Sequence, residues 1–439
     1  SFMQYDLNST WRLRSNESWV SQNNYASQYS FLARGLNPDL PLLSSQTVVE
    51  GFPQNRYIAL RSLRFQDLHE ELSLTQSQFI NSRPYVPMVD YYQWWSPGYE
   101  GSKISGFFHC HSAALQRREG VNYQRLMCEG EARFPLQLSD DISVKSEIFV
   151  HQRWDGYAVQ KRNQNIGNTK PPASSVGRYL PTLGARFQKH WVYGQGVWTP
   201  KIQFLISPSL KHQDRIPNED CLRDTLLADQ VFSINRFRGY DRLESGTRLQ
   251  YGISAWLPHY QTDLFFGQNF LLTQPGDDMR TFYGIKKGAS PFFLQTSTRI
   301  VPWINLSYQG QMQRNFHKMS EHQACLELGP KIFSLGFEYI TFNKLAHRHA
   351  RVHPLYDQYG IKIASHFARF WFFHAKFQRL VHKHQAFTHK VVFKSSLSYK
   401  DECLTFSLKF QKKFQTFARK KPDTVVLFSL SFSGFPTKS

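Results

Sequence analysis

Apolar and polar residues alternate with a period of two along much of this 439-residue chain, and no other feature limits its fold as strongly. In the segment 401–411 (DECLTFSLKFQ), every second residue from Leu404 to Phe410 is apolar, and the residues between them are Thr, Ser and Lys. A period of two places the two sets on opposite faces of a β-strand. The segment therefore predicts a strand with one apolar and one polar face.

The same alternation recurs along the chain, most clearly in the segments 142–150, 201–206, 247–255, 333–339, 390–399 and 424–435. Roughly 20 such segments are separated by turn-rich gaps. Three gaps are longer and predict loops, at 163–176, 207–232 and 345–360. No change in composition divides the chain, so we predict one all-β, antiparallel domain over residues 1–439.

Aromatic residues make up 15% of the chain, and 37 of them are Phe. Transmembrane β-barrels need an apolar outer band and aromatic girdles around a polar lumen. Soluble sandwiches and propellers alternate in the same way, so the alternation alone favours a barrel only mildly. The number of segments, the Phe content and the lack of helix-period stretches add to that preference. We expect a large antiparallel transmembrane β-barrel with about 20 strands in this chain.

The chain is strongly basic, with 53 Lys and Arg against 33 Asp and Glu and a formal net charge of +20. An excess of this size favours contact with a polyanion. Nucleic acid, anionic lipid and phosphorylated saccharide all fit, although scattered basic residues suit a barrel lumen at least as well as a nucleic-acid patch.

The five cysteines are an odd number and form no CxxC pair. This argues against a zinc module and against a self-contained disulfide framework, and leaves at most one cysteine to pair outside the chain. The basic stretch around His347, His349 and His353 is interpreted as a solvated loop rather than a metal site. Because no catalytic motif occurs, we expect a protein that is not an enzyme and has neither cofactor nor metal.

Two stretches carry a resemblance to a known family. The segment 229–253 (DQVFSINRFRGYDRLESGTRLQYGI), preceded by IPNED at 216–220, resembles part of the LptD family of lipopolysaccharide (LPS) assembly proteins, of the alphaproteobacterial type. The ending is similar as well, with DEC at 401–403 and PDT at 422–424 opening the last two strands. Arg118, Gly120 and Arg125 fit a weaker family pattern.

The resemblance implies a cell outer-membrane barrel of about 26 strands that assembles LPS into the outer leaflet, through a polar basic lumen and a lateral gate. It implies partners as well: lipopolysaccharide, a lipoprotein plug of the LptE type and a periplasmic bridge protein of the LptA type, with no nucleic acid. It further implies that the chain is the C-terminal barrel portion, without the family's N-terminal jellyroll and first barrel strands.

Four arginines stand close together at Arg236, Arg238, Arg242 and Arg248. They are candidates for contact with LPS phosphates, since the planar guanidinium matches a pair of phosphate oxygens. The alternative is that they pair with Asp241 and Glu244 and hold a loop folded inward.

Cys403 stands where the family has a cysteine at the start of its penultimate strand. The resemblance therefore implies a disulfide to an N-terminal domain, and a buried free thiol is the alternative. Two other functions stay open on the sequence: a general porin or anion-selective channel, and a soluble basic all-β protein that binds nucleic acid.

Overall fold

The computed structural model describes residues 2–19, 42–67, 85–96, 103–116, 120–137, 143–162, 175–210, 213–221, 226–274, 276, 286–312, 319–330, 332–342, 356–382, 389–415 and 423–432. Within these ranges the chain forms 23 β-strands and three short 3-10 turns. None of the helical segments described has the length and apolarity needed to cross a membrane. The chain divides into two compact units.

The first unit comprises residues 1–187, 204–222 and 237–247. Its strands are β1 (Phe2–Asp6), β2 (Trp11–Asn16), β3 (Leu42–Gly51), β4 (Arg56–Asp67), β5 (Tyr85–Trp95), β6 (Ser105–Leu115), β7 (Gly120–Leu136), β8 (Val144–Arg162) and most of β9 (Ser175–Lys189). Each strand from β1 to β7 pairs antiparallel with the strand that follows it.

The second unit comprises residues 188–203, 223–236 and 248–439. Its strands are β10 (Trp191–Tyr193), most of β11 (Gly196–Ile206), β12 (Arg248–Leu257), β13 (Thr262–Leu271), β14 (Gly288–Ala289), β15 (Phe292–Val301), β16 (Ile304–Met312), β17 (Met319–Leu328), β18 (Phe333–Phe342), β19 (Tyr356–Phe367), β20 (Trp371–His382), β21 (His389–Lys400), β22 (Leu404–Gln415) and β23 (Asp423–Phe432). From β15 onward, every strand pairs antiparallel with the next.

In the first unit's strands, apolar side chains are exposed and charged side chains are buried, the reverse of a soluble sheet. Leu126 and Trp154 are apolar yet 54% and 50% exposed, whereas the neighbouring Arg125 and Arg153 are buried at 4%. A soluble sheet places its apolar face in the core, whereas a transmembrane barrel turns apolar side chains to lipid and polar ones inward. The burial pattern is therefore typical of a membrane-spanning strand.

The strands predicted from alternation are confirmed, with shifted ends. The predicted 401–411 strand begins only at Leu404, because the Asp401 carboxylate accepts the backbone N–H groups of Cys403 and Leu404 and closes a turn. The predicted loop 345–360 is wrong at its end, because β19 already begins at Tyr356. The predicted loop 163–176 is also wrong at its end, because β9 begins at Ser175. Its residues 163–174 and the three histidines at 347, 349 and 353 lie outside the described residues.

The sequence argument against a self-contained disulfide framework did not identify the one disulfide that the described residues form. Cys110 on β6 and Cys128 on β7 are bonded, with their Cα atoms 4.2 Å apart. The two residues are directly opposite each other in the antiparallel register. Counting cysteines cannot reveal such a pair, because the two cysteines are 18 positions apart in sequence and are brought together only by strand register. Cys221, Cys325 and Cys403 have free thiols.

Candidate functional site

A long connection between β11 and β12, residues 207–247, carries most of the predicted site residues, and its described parts 207–210, 213–221 and 226–247 contain no strand. Its parts 207–222 and 237–247 belong to the first unit, and residues 226–236 belong to the second. The connection carries many backbone polar groups that no strand ladder satisfies, so side chains must bind them if they are buried. The strands of each unit supply those side chains.

In the first unit, one face of β5–β9 carries a dense set of charged side chains, all buried except Glu129, which is 17% exposed. We call this set the charged face; it consists of Asp90, His109, His111, Arg125, Glu129, Arg153, Asp155 and Arg178. The register explains the grouping, because His109 lies opposite Glu129, and Glu129 lies opposite Arg153. The alternation of strand residues thus brings acids and bases from five strands onto a single surface.

Arg125 is the residue that ties the connection to the charged face. Its Nη1 atom lies 2.6 Å from an oxygen of Asp220 and 2.6 Å from an oxygen of Asp241, while its Nη2 atom lies 3.0 Å from Nε2 of His111. The side chain is only 3% exposed. Two carboxylates from separate parts of the connection therefore share one guanidinium in a site largely closed to water.

Tyr240 sits at the centre of the same contacts. Its ring stacks on His111 at 4.4 Å between centroids and lies 4.9 Å from the Arg125 guanidinium carbon. Its backbone carbonyl accepts from Arg153 at 2.8 Å and from Arg178 at 2.7 Å. The peptide at Tyr240 is thus bound by two arginines on β8 and β9, in addition to the stacking of its ring.

Gly239 allows this approach. Its φ of +94° is one that L side chains rarely adopt, and a Cβ at this position would lie 2.6 Å from the backbone oxygen of Asp220. Only glycine fits both conditions. The turn brings the N–H groups of Tyr240 and Asp241 to the Asp220 carboxylate, at 3.1 and 2.9 Å.

Asp220 and Asp241 respond differently to this site. Burial acts to raise the pKa of the Asp220 carboxyl, but Arg125 and the two backbone N–H donors outweigh it and hold that pKa below its usual value. Burial and the neighbouring Asp220 charge raise the pKa of Asp241, and Arg125 offsets this only in part. Asp220 is therefore the more firmly ionised partner of Arg125.

Asp90, His109 and His111 are the described residues closest to a metal-ligand arrangement, with candidate ligand atoms within 4.8 Å of one another. However, Nδ1 of His111 lies 2.7 Å from Asp90, and its Nε2 faces Arg125. A metal on Nδ1 would put the ring proton on Nε2, against an arginine N–H. The geometry instead fits a hydrogen-bonded relay in which Arg125 donates to His111 and His111 donates to Asp90.

The predicted arginines do not form one cluster. Arg236, Arg242 and Arg248 are buried, whereas Arg238 is exposed. Arg242 donates to the backbone carbonyl of Ile216 at 2.9 Å, and Arg248 donates to that of Ile234. These contacts hold the connection to itself and to β12.

The two predicted acids are buried, Asp241 at 0% and Glu244 at 3% exposure. The charged partner of the Asp241 carboxylate is Arg125 from β7, which is not one of the four predicted arginines. Tyr157 donates a further hydrogen bond to it at 3.1 Å. Both interpretations of this segment, contact with LPS phosphates and inward folding, stay predictions.

In the second unit, amide side chains bind the part of the connection around residues 226–236. Gln203 donates to the carbonyl of Phe232 at 3.1 Å, and Gln311 donates to that of Leu226 at 2.7 Å. With its amide oriented to satisfy its neighbours, Asn269 accepts from Arg236 at 2.8 Å. In this unit, neutral amide donors thus bind the connection together with Arg248.

Sequence reasoning identified the connection but missed most of its anchors. Arg125 belonged only to a weak pattern, and Arg153, Asp155 and Arg178 were not identified at all. The sequence did contain a signal for these anchors, because a charged residue at an inward-facing position of a strand needs a partner. The partners lie 62 to 116 residues away in sequence and could not be found from spacing.

Cys403 lies in the turn before β22 and is exposed, with a free thiol. The disulfide implied for it stays a prediction, whereas its alternative, a buried thiol, does not agree with its exposure.

Comparisons with known proteins agree with these features. Residues 3–371 match the family model described as LptD, LPS transport system D. The LPS-assembly protein LptD of Acinetobacter baylyi is 31% identical over 114 residues, which cover 26% of this chain and 13% of that protein's length.

Among solved structures, two siderophore receptors are similar. PirA from Pseudomonas aeruginosa has a TM-score of 0.47 at 10% identity, covering 97% of this chain and 74% of that one. PirA from Acinetobacter baumannii has a TM-score of 0.44 at 10% identity, covering 89% and 70%.

The family match spans most of the chain, and the antiparallel strands with outward apolar and inward charged faces agree with it. The predicted fold class and cell outer-membrane location are confirmed. The chain belongs to the LptD family of outer-membrane LPS transport β-barrels.

Proposed function

We propose that this chain is the barrel of a transporter that assembles lipopolysaccharide into the outer leaflet of the outer membrane. The observation that carries the proposal is the family match over residues 3–371. The curated relative is named an LPS-assembly protein, which supports the same substrate. The task is transport rather than catalysis.

The charged face supports different roles for the two faces of the strands. A polar lumen suits the passage of saccharide, and apolar outward strands suit lipid. The network around Arg125 would hold parts of the 207–247 connection against the inward face of the strands. In this proposal, Asp241 and the buried arginines Arg236, Arg242 and Arg248 are positioning residues that shape the lumen rather than phosphate ligands.

The partners expected from the family belong to the proposal as well. They are a lipoprotein plug of the LptE type in the lumen and a periplasmic bridge of the LptA type. The latter would dock on an N-terminal jellyroll, and Cys403 would form its disulfide to that domain. Non-reducing electrophoresis of the protein from its host, with and without Cys403→Ser, tests the disulfide.

The experiment for the function is depletion of the host's own copy, followed by complementation with the gene as it occurs. We expect restored delivery of LPS to the cell surface, measured by labelling of intact cells and by recovered resistance to large hydrophobic antibiotics. A protein that restores neither, but conducts ions through planar bilayers, would be a porin or anion channel. Extraction by salt without detergent would instead indicate a soluble nucleic-acid-binding protein.

A further inference from the structure

A groove runs along β7 on the outward, apolar face of the first unit. Its volume is about 440 Å³, and small side chains of β7 form its floor, namely Cys128, Gly130 and Ala132. Phe108 on β6 stands on one side of this floor and Trp154 on β8 stands on the other, and both are exposed. Because the strands of this unit turn their apolar face to lipid, the groove opens into the membrane.

The sheet sets the width of the groove. Phe108 lies directly opposite Gly130, and Gly130 lies directly opposite Gln152, so each wall stands one strand away from the floor. Neighbouring strands are about 4.8 Å apart, which puts the backbones of the two walls about 10 Å apart. An α-helix with its side chains is about 10–12 Å across and cannot lie between the wall side chains. A single acyl chain is thinner and can.

The wall on β8 carries a polar group that hydrocarbon cannot satisfy. Gln152 lines the groove, is exposed and lies on the same outward face as Trp154. Among the residues that the structure describes, none forms a hydrogen bond with the Gln152 side chain. An amide in an apolar environment costs free energy unless it has a hydrogen-bond partner. The partner must therefore come from a molecule that occupies the groove.

Two aromatic side chains place this amide near the edge of the hydrocarbon. Trp154 on β8 and Tyr179 on β9 both line the groove and are exposed. Each combines an apolar ring with one polar group, and such residues gather at the membrane–water interface. Lipid acyl chains join their head groups near this level, through ester or amide carbonyls that accept hydrogen bonds. A lipid with such a carbonyl at Gln152 would extend its chain away from the interface, toward Val150 and Ala132.

We infer that the groove along β7 binds one acyl chain of a membrane lipid, and that the Gln152 amide donates to the carbonyl that links this chain to its head group. The floor leaves space for the chain because it carries no large side chain. The Cys110–Cys128 disulfide joins the floor to β6 and holds the two strands together beside the groove. This site is on the outside of the strands, so the inference goes beyond the proposed transport through the lumen.

The test uses the full chain in phosphatidylethanolamine vesicles that contain a trace of phosphatidylcholine with a photoreactive diazirine in its acyl chain. After illumination, mass spectrometry measures the lipid label on each peptide. Gly130→Leu fills the groove, and the nearest atom to a Cβ at this position is 3.5 Å away, an ordinary contact. Label on residues 148–154 should fall at least about fivefold in this variant, the lower end of what overfilling a packed site costs.

Two matched controls separate the groove from the rest of the outward face. Gly156→Leu adds the same side chain on β8, outside the groove, where no atom lies within 4 Å of a Cβ, and it should leave the label unchanged. Gln152→Leu should lower the label on residues 126–136 about threefold, the usual effect of one hydrogen bond in a membrane protein. Gln124→Leu makes the same change at an exposed position of β7 outside the groove and should have no effect.

Equal loss of label in Gly130→Leu and Gly156→Leu would overturn the inference, because any added bulk on this face would then repel lipid. Label spread evenly over the outward face of the unaltered chain, or unchanged in Gln152→Leu, would overturn it as well. So would a protein, rather than lipid, cross-linked to the groove in membranes of the host. If Gly130→Leu does not fold, Ala132→Leu on the same floor takes its place, with the same expected loss of label.

Discussion

Replacement of Arg125 by Met tests whether the charged face holds the connection in place. The guanidinium is 3% exposed and binds Asp220 and Asp241 at 2.6 Å each. Removing one partner of a buried ion pair costs about 3–5 kcal/mol, because the remaining charge is left without a partner. Asp220 is 27% exposed, so water recovers part of the loss, and we take about 3 kcal/mol.

Hydrogen exchange of the peptide covering residues 237–247 measures this loss, because the N–H groups of Tyr240 and Asp241 donate to Asp220 within the same network. At 1.4 kcal/mol for each factor of ten, a loss of about 3 kcal/mol predicts exchange about 150-fold faster in the variant. The strands β5–β8 should keep their protection, because their backbone ladders are intact.

The control is Arg186→Met on β9, which removes a different, partly buried arginine that pairs with Glu147 at 2.7 Å. It should leave exchange in residues 237–247 within a factor of three. If Arg125→Met changes the exchange of this peptide no more than the control does, Arg125 does not hold the connection and the account of the charged face is wrong.

Three further predictions concern the turn at Gly239, the Asp220 carboxylate and the cysteines. Gly239→Ala should speed hydrogen exchange in residues 237–247 at least about tenfold, since the added Cβ meets the Asp220 backbone. The control Gly194→Ala, at a position with a φ of +59° and open space around it, should leave exchange of this peptide unchanged. Protection of the same peptide should persist from pH 7 to about 4 and be lost only below pH 4. The pKa of Asp220 is lowered in the folded protein, so its stabilising effect is present above the unfolded pKa and disappears as the pH falls through the folded pKa. Loss of protection beginning near pH 6 would contradict this, and Asp220→Asn should remove the acid-dependent loss. Alkylation of the folded, unreduced chain should modify exposed Cys403 quickly and buried Cys221 slowly, because burial raises the pKa of the Cys221 thiol to about 12. Mass spectrometry of the same sample should find Cys110 and Cys128 joined by a disulfide.

The sequence determined the strands and their faces, because side-chain alternation is a local property with a period of two. The segment from Leu404 to Phe410 is an example, since its apolar and polar sets could be assigned without knowing any neighbour. Strand ends were less predictable, because they depend on turn contacts such as the bonds from Cys403 and Leu404 to Asp401. The family resemblance rested on short motifs that also needed no tertiary information.

Only the tertiary structure decided which charges meet. Asp241 lies one residue from Arg242, yet its carboxylate pairs with Arg125, which is 116 residues away. The same holds for Cys110 with Cys128 and for the groove along β7, which exist only because antiparallel register places residues of different strands opposite each other. The physical reason is that register is set by the whole sheet, whereas a sequence pattern reports only the face on which each side chain lies.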